Sequence, residues 1–188
     1  MATKVGIYPG SFNPLTTAHL AIAAAARAQR GLTRVVLAFS RNPINKEHID
    51  RPRFEDRVEV ARAEAATRAW LDVTVTEARL LVDIARGYDV LIMGADKWQQ
   101  VIDPQYYSDE QARDDAVAAL PELAIAPRPP LPVPRRHLLH VELEHGAVSS
   151  TRAREGNLTM MCAAAQAFDG ATGAWTDPDR YERYLFTL

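Results

Sequence analysis

His19 closes the run Gly10-Ser11-Phe12-Asn13-Pro14-Leu15-Thr16-Thr17-Ala18-His19, which leaves the apolar segment Val5-Gly6-Ile7-Tyr8 through a Pro-Gly turn and leads into an Ala-rich stretch. A strand that ends in such a turn and restarts as a helix gathers backbone N–H groups and a helix N-terminus around one small space, which suits phosphate. Gly10 and Ser11 supply backbone to that cradle. The His19 imidazole adds a donor that can follow the negative charge of a phosphoryl group as it moves, and the Thr16 hydroxyl adds a second.

Two later segments offer matching chemistry. In Val148-Ser149-Ser150-Thr151-Arg152-Ala153-Arg154, consecutive hydroxyls before a helical turn present N–H and O–H donors, and Arg154 can reach the same anion bidentately. In Gly94-Ala95-Asp96, the glycine allows close backbone approach at a strand end, and the carboxylate can accept from a ribose hydroxyl or cap the next helix.

The elements that must position these residues are read from the patterning. Lys4–Tyr8, Arg34–Ser40, Leu71–Val75, Tyr88–Met93, Glu122–Ala126 and His137–Leu143 read as strands, several of them apolar at nearly every position, as strands covered on both faces are. Thr17–Gln29, Arg53–Arg68, Glu77–Arg86 and Ser108–Leu120 read as helices between them, the last opening on a Ser108 to Gln111 capping box. Beyond Gly146 the pattern turns helical, with Met160–Phe168 and Pro178–Phe186 predicted to pack back on the sheet. Pro127 to Pro134 holds too many prolines for a helix or central strand and reads as a stiff surface loop. The expected fold is therefore α/β: a Rossmann-like doubly wound parallel sheet with crossover helices and a short C-terminal helical segment. A single domain over residues 1–188 is expected, its C-terminal helices starting at about residue 157. In such a sheet ligands bind beyond the carboxyl ends of the strands, which gathers the three motifs on one edge.

Composition narrows the function classes. A net charge of −2 leaves no global basic field for nucleic acid, so anion binding must come from locally placed Lys and Arg. One cysteine, Cys162, excludes an intrachain disulfide framework and a Cys-rich metal site, and His137, His140 and His145 are spaced too irregularly to read as a zinc site. There is no basic segment followed by a long apolar run near the start and no run of membrane-spanning length, so a cytoplasmic protein without membrane partners is expected. No Gly-x-Gly-x-x-Gly follows the first strand, which speaks against a dinucleotide-dependent dehydrogenase. The oligomeric state is left open, a homo-oligomer included.

The decamer resembles the signature of the nucleotidyltransferase superfamily, with Gly10, Phe12, Asn13, Pro14, Thr16 and His19 in the right order and spacing. Its Asn-Pro and Thr-x-x-His form looks most like the nicotinamide/nicotinate mononucleotide adenylyltransferases, and Ser149 to Arg154 is similar to the superfamily's second motif. The resemblance implies transfer of AMP from ATP to a phosphomonoester with release of pyrophosphate, the acceptor being nicotinate or nicotinamide mononucleotide. It implies Mg²⁺ held mainly by the ATP phosphates. It assigns catalysis to His19, Thr16, Lys46 and Arg154, with Lys46 matching a loop lysine that follows Asn42 and precedes Arg57. Nucleotide contacts fall to Gly10, Ser11, Phe12, Gly94, Asp96, Ser149, Ser150 and Thr151, and acceptor contacts to Asn13, Thr76, Trp98 and Tyr107.

The chain departs from the pattern at Ala18, and at Val75-Thr76, where the mononucleotide enzymes carry an aromatic before the Thr. Trp98, Tyr106 or Tyr107 would then supply the ring. Phosphopantetheine and glycerol phosphate stand as alternative acceptors, and a nucleotide-binding protein without turnover as the alternative of another class.

Overall fold

A computed structural model describes residues 3–42, 51–142 and 148–188. Val5–Pro9 (β1), Arg34–Ser40 (β2), Leu71–Thr76 (β3), Val90–Gly94 (β4) and Glu122–Ala126 (β5) form one sheet in the order β3-β2-β1-β4-β5. Every pairing is parallel. The chain builds outwards from β1 to β3, then returns to the other side of β1 for β4 and β5. The switch point therefore lies between β1 and β4, where the register pairs Gly6 with Val90 and Ile7 with Leu91.

Alternation along β2 shows how the sheet is buried on both faces. Val35, Leu37 and Phe39 join one core with Ala23 and Ala26 of Thr17–Gln29 (α1) and Val58 and Ala61 of Phe54–Ala65 (α2). Val36 and Ala38 join a second core with Ile84 of Leu81–Ile84 (α3) and Trp98 of Ala95–Ile102 (α4), flanked by Val117 of Glu110–Ala118 (α5). Small residues on the buried stripe of α1 let the helix sit close to the sheet.

Ser150–Arg154 (α6) is followed by Ala163–Thr172 (α7) and Pro178–Leu185 (α8), which close the first face. Two buried carboxylates of α2 hold them there. Glu64 accepts from the Ala164 N–H at 2.9 Å and from Arg68 at 2.6 Å. Asp56 accepts from the Tyr181 hydroxyl, which itself accepts from the Arg53 N–H at 2.9 Å.

Several boundaries differ from the sequence reading. His137–Leu143 is not a strand in its described part. Residues Arg135–His137 form a 3₁₀ turn and Leu138 makes one isolated bridge to Ile125. Side chains from the end of α1 replace the ladder: Gln29 bonds both the carbonyl and the N–H of His140, and Arg30 takes the Leu138 carbonyl. The helix expected over Glu77–Arg86 shrinks to Leu81–Ile84, because the Ser40 hydroxyl draws in the Ala78 carbonyl and the Thr76 hydroxyl accepts from the Ala78 N–H. The cap of α5 is Asp109, not Ser108. Its carboxylate accepts from Ala112 N–H at 2.8 Å, and Gln111 bonds forward to Asp115. Met160–Phe168 is interrupted at Met161, which bridges to Thr16 while Cys162 donates its N–H to the Leu15 carbonyl. Helix α4 begins at Ala95, directly off the strand end.

Glu64 illustrates how such a buried group responds to pH. Burial pushes its pKa up, but the Ala164 N–H and Arg68 outweigh that, and the net effect is a value below the ordinary 4.5. A lowered folded-state pKa means that the stabilisation is present above the unfolded value and fades as pH falls through the folded one. Glu64→Ala should cost about 2–3 kcal/mol at neutral pH in denaturant unfolding. The gap from the unsubstituted protein should narrow as the pH drops below 4.5.

Candidate nucleotidyl-transfer site

Thr16 is the N-cap of α1 and His19 the third residue of its first turn. The Thr16 hydroxyl accepts from the His19 backbone N–H at 3.3 Å, while the Thr16 backbone N–H donates to His19 Nδ1 at 3.0 Å. This is a capping box in which histidine stands where Glu or Gln usually does. The protonation state follows. A backbone N–H can only donate, so Nδ1 must accept, and the neutral ring carries its proton on Nε2. The Thr16 hydroxyl, 2.8 Å from Nδ1, then donates to it as well. Thr16 is 1 % exposed, so its hydroxyl serves the cap and the ring from within the core.

Phe12 holds the turn before this helix at φ 41°, in the left-handed region where a bulky side chain is strained. Burial compensates. Its ring is 2 % exposed and packs against Tyr8 (5.6 Å), His19 (5.1 Å) and Phe39 (5.0 Å). Gly10 is required beside it, since a Cβ there would come within 2.7 Å of the Phe12 ring. Phe12 thus shapes the loop and the imidazole from below.

The second motif docks directly on the first loop. Ser150 Oγ donates to the Pro14 carbonyl at 3.0 Å, and Arg154 Nη1 donates to the Asn13 carbonyl at 2.5 Å. Arg154 also reaches the Thr151 hydroxyl at 3.4 Å, and Ser149 caps α6 by accepting from the Arg152 N–H at 3.0 Å. The side chain of Asn13 is occupied too: its Oδ1 accepts from Trp175 Nε1 at 2.7 Å. Nothing in the sequence joins Trp175 to Asn13, 162 positions apart.

On the other side of the switch point, Gly94 is the N-cap of α4 and Asp96 lies in its first turn. Asp96 faces Arg128 at 3.5 Å across a largely exposed pair. Tyr8 is held neutral, its phenol pushed well above the ordinary value by burial and then by the Asp96 charge.

A cavity of about 620 Å³ opens at the ends of β1 and β2, between them and helices α3 to α5. Gly10, Ser11 and Tyr107 line it; Thr76, Asn13 and Trp98 do not. Thr76 spends its hydroxyl on the turn at Ala78. Trp98 is 7 % exposed and lies in the second core, its ring 6.2 Å from that of His137. Lys46 lies outside the described residues.

The cavity wall also holds residues that the motifs do not single out, among them Arg41, Phe54, Arg79, Lys97 and Gln100. Arg57, noted in sequence only for its spacing, is the most telling. It is 7 % exposed and donates to the Ser11 carbonyl at 2.8 Å, while its Nε has no partner. Among the described residues no carboxylate forms an ion pair with it, and burial pulls its pKa down despite the nearby Glu55 charge. A buried cation in that state favours an anion in the adjoining space. No group of three or more His, Cys, Asp or Glu side chains gathers among the described residues as a protein-held metal would need. No described helix is long and apolar enough to cross a membrane.

Parallel strands, a switch point between β1 and β4, and anion donors gathered beside it are the features of a doubly wound α/β protein that binds its ligand at the strand ends. Residues 7–156 match the cytidylyltransferase-like family, and the chain belongs to it. It is 34 % identical over 79 residues to a probable nicotinate-nucleotide adenylyltransferase of Gloeobacter violaceus, a match covering 42 % of this chain and 38 % of that protein. It is 38 % identical over 94 residues to a phosphopantetheine adenylyltransferase of Alkaliphilus metalliredigens, covering 48 % of this chain and 55 % of the relative. The matches thus span about half or less of those relatives.

Nitrogen chemical shifts of the His19 ring test the hydrogen-bond assignment. The neutral ring should be the Nε2–H tautomer, and an Nδ1–H tautomer would contradict the capping geometry. Thr16→Val keeps the backbone contact but removes the hydroxyl, and should lower stability by about 1 kcal/mol in denaturant unfolding. Thr16→Ser should restore it.

Proposed function

We propose that this protein transfers the AMP group of MgATP to a phosphomonoester, releasing pyrophosphate. The observation that supports this best is the docking of Ser150 and Arg154 onto the loop that ends in the Thr16–His19 cap, which puts the anion donors of two distant motifs on one small space.

In this reading an acceptor phosphate oxygen attacks the α-phosphorus in line. The bond from that phosphorus to the bridging oxygen breaks, and the electron pair departs on pyrophosphate. The attacking group is already an anion near neutral pH, so no strong protein base is required. What the protein must supply is position and charge neutralisation. His19 Nε2–H is the donor to the α-phosphate or the bridging oxygen, held in that tautomer by Thr16. Arg154, anchored to Asn13 and Thr151, directs its other N–H groups to the β- and γ-phosphates. Lys46 would screen the two substrates' charges from each other. Mg²⁺ would be held mainly by the triphosphate oxygens and would supply charge neutralisation there.

Two acceptors compete. The Asn13-Pro14 and Thr16-x-x-His19 pattern favours nicotinate or nicotinamide mononucleotide, and the Gloeobacter relative favours the nicotinate one. The Alkaliphilus relative favours phosphopantetheine. Pyrophosphate release from MgATP across nicotinate mononucleotide, nicotinamide mononucleotide, phosphopantetheine and glycerol phosphate tests the reaction and ranks them. Release with none of the four would count against transfer. His19→Ala should lower kcat by about a hundredfold with little change in ATP affinity, whereas an equal loss of both would show that His19 acts in ground-state binding.

A further inference from the structure

Trp175 lies outside every segment that composition or spacing singles out, in the connection from α7 to α8, and it is 2 % exposed. Its ring packs edge-on against Phe168, with centroids 6.0 Å apart. One buried carboxylate organises the backbone there: Asp169 accepts from the Trp175 N–H at 2.7 Å, the Thr176 N–H at 3.1 Å and the Thr176 hydroxyl at 2.6 Å. Gly173 makes the turn possible, since a Cβ there would come within 2.8 Å of the Asp177 carbonyl oxygen. The indole is thereby presented in one orientation, and its single polar atom, Nε1, meets Asn13 Oδ1 at 2.7 Å.

That contact fixes more than a side chain. An indole N–H can only donate, so the Asn13 amide must turn its oxygen towards it. Proline follows Asn13 and locks its own φ, so the orientation of the peptide between them rests on the torsions of Asn13 itself. The carbonyl of that peptide is the one that accepts from Arg154 Nη1 at 2.5 Å, and the next carbonyl, that of Pro14, accepts from Ser150 Oγ at 3.0 Å. Arg154 is held by the Asn13 carbonyl and by the Thr151 hydroxyl at 3.4 Å, and neither cancels its charge. The guanidinium keeps its capacity for an anion, and its aim depends on where Asn13 is pinned.

Resting on the transfer reading above, in which Arg154 meets the β- and γ-phosphates, we propose that Trp175 is a positioning residue of the triphosphate site, acting through Asn13 on Arg154. Buried between α7 and α8, the indole touches no substrate. It removes the freedom of the Asn13 side chain, so the guanidinium is in place before the nucleotide arrives and less ordering opposes binding. Phe168 and Asp169 serve the same end one step further back, by holding the indole.

Calorimetric titration with MgATP tests this, with circular dichroism and thermal melting to follow folding. Trp175→Phe keeps an apolar ring in the core and removes the donor, whereas Asn13→Ala removes the acceptor and leaves the indole. The contact is thus broken from either side, and one variant suffices where the other misfolds. Each of the two should raise the Kd for MgATP about fivefold, and Arg154→Ala by at least as much. Combining the two, or adding either to Arg154→Ala, should raise it by less than about twofold more. Glu64→Ala loosens α7 from α2 without touching Asn13; it should lower the melting temperature yet keep the Kd within about twofold. Additive losses of Trp175→Phe and Arg154→Ala, or a loss of affinity in Glu64→Ala as large as in Trp175→Phe, would overturn the inference, and pyrophosphate release by the unsubstituted protein would still stand for transfer. The expected non-additivity with no pyrophosphate from any of the four acceptors would instead uphold the role of Trp175 and defeat transfer. No binding of MgATP by the unsubstituted protein would overturn both.

Discussion

The reciprocal hydrogen bonds between Thr16 and His19 are the contact on which the rest of the site depends. A helix N-terminus has backbone donors to satisfy, and here a residue with its own chemistry satisfies one of them. The same bond that caps α1 therefore orients the imidazole, selects its tautomer and couples it to the end of β1 through the Phe12 turn. Helix capping and phosphate chemistry are usually separate uses of a helix start. Under the proposed transfer they share a side chain, so the cap's stability and the donor's position are coupled.

Asn13 extends that coupling to the C-terminal helices. Its carbonyl is held by Arg154 and its side chain by Trp175, so the loop is gripped from the second motif and from the α7–α8 connection. Trp175 is itself fixed: Asp169 accepts from its backbone N–H at 2.7 Å, and Gly173 at φ 73° turns the chain back after α7. The Glu64 and Asp56 contacts tie those helices to α2, whose Arg57 returns to the Ser11 carbonyl. Elements that carry no motif thus close a ring around the first loop. The single cysteine belongs to this frame; Cys162 caps α7, and burial pushes its thiol up to about 12, leaving it unreactive at neutral pH.

Apolar runs of four to seven residues at strand positions were legible because burial on both faces leaves little room for polar side chains. β2 and β5 coincide with the sequence reading, and so does α1, where small residues and a clear start agree. Three of the misjudged boundaries share one cause. At His140, Ala78 and Asp109 a side chain, some from far along the chain, satisfies a backbone group that local periodicity assigns to a ladder or a helix. Likewise, Trp98 reads as a platform for a planar substrate, yet the second core claims it, because an aromatic on the first turns of α4 faces the sheet.

Residue type and local turn chemistry were enough for the family, the parallel α/β fold and the helix starts within Gly10–His19 and Ser149–Arg154. Long-range packing settled that Thr16 works behind His19, that Trp175 and Arg154 hold Asn13, and that a buried Arg57 opens onto a partly aliphatic cavity. The physical reason is range. A cap or a glycine turn is specified within a few residues, whereas a cavity wall is assembled from β1, β2, α2, α3, α4 and α5 at once, and no local pattern records which side chains the fold will leave facing it.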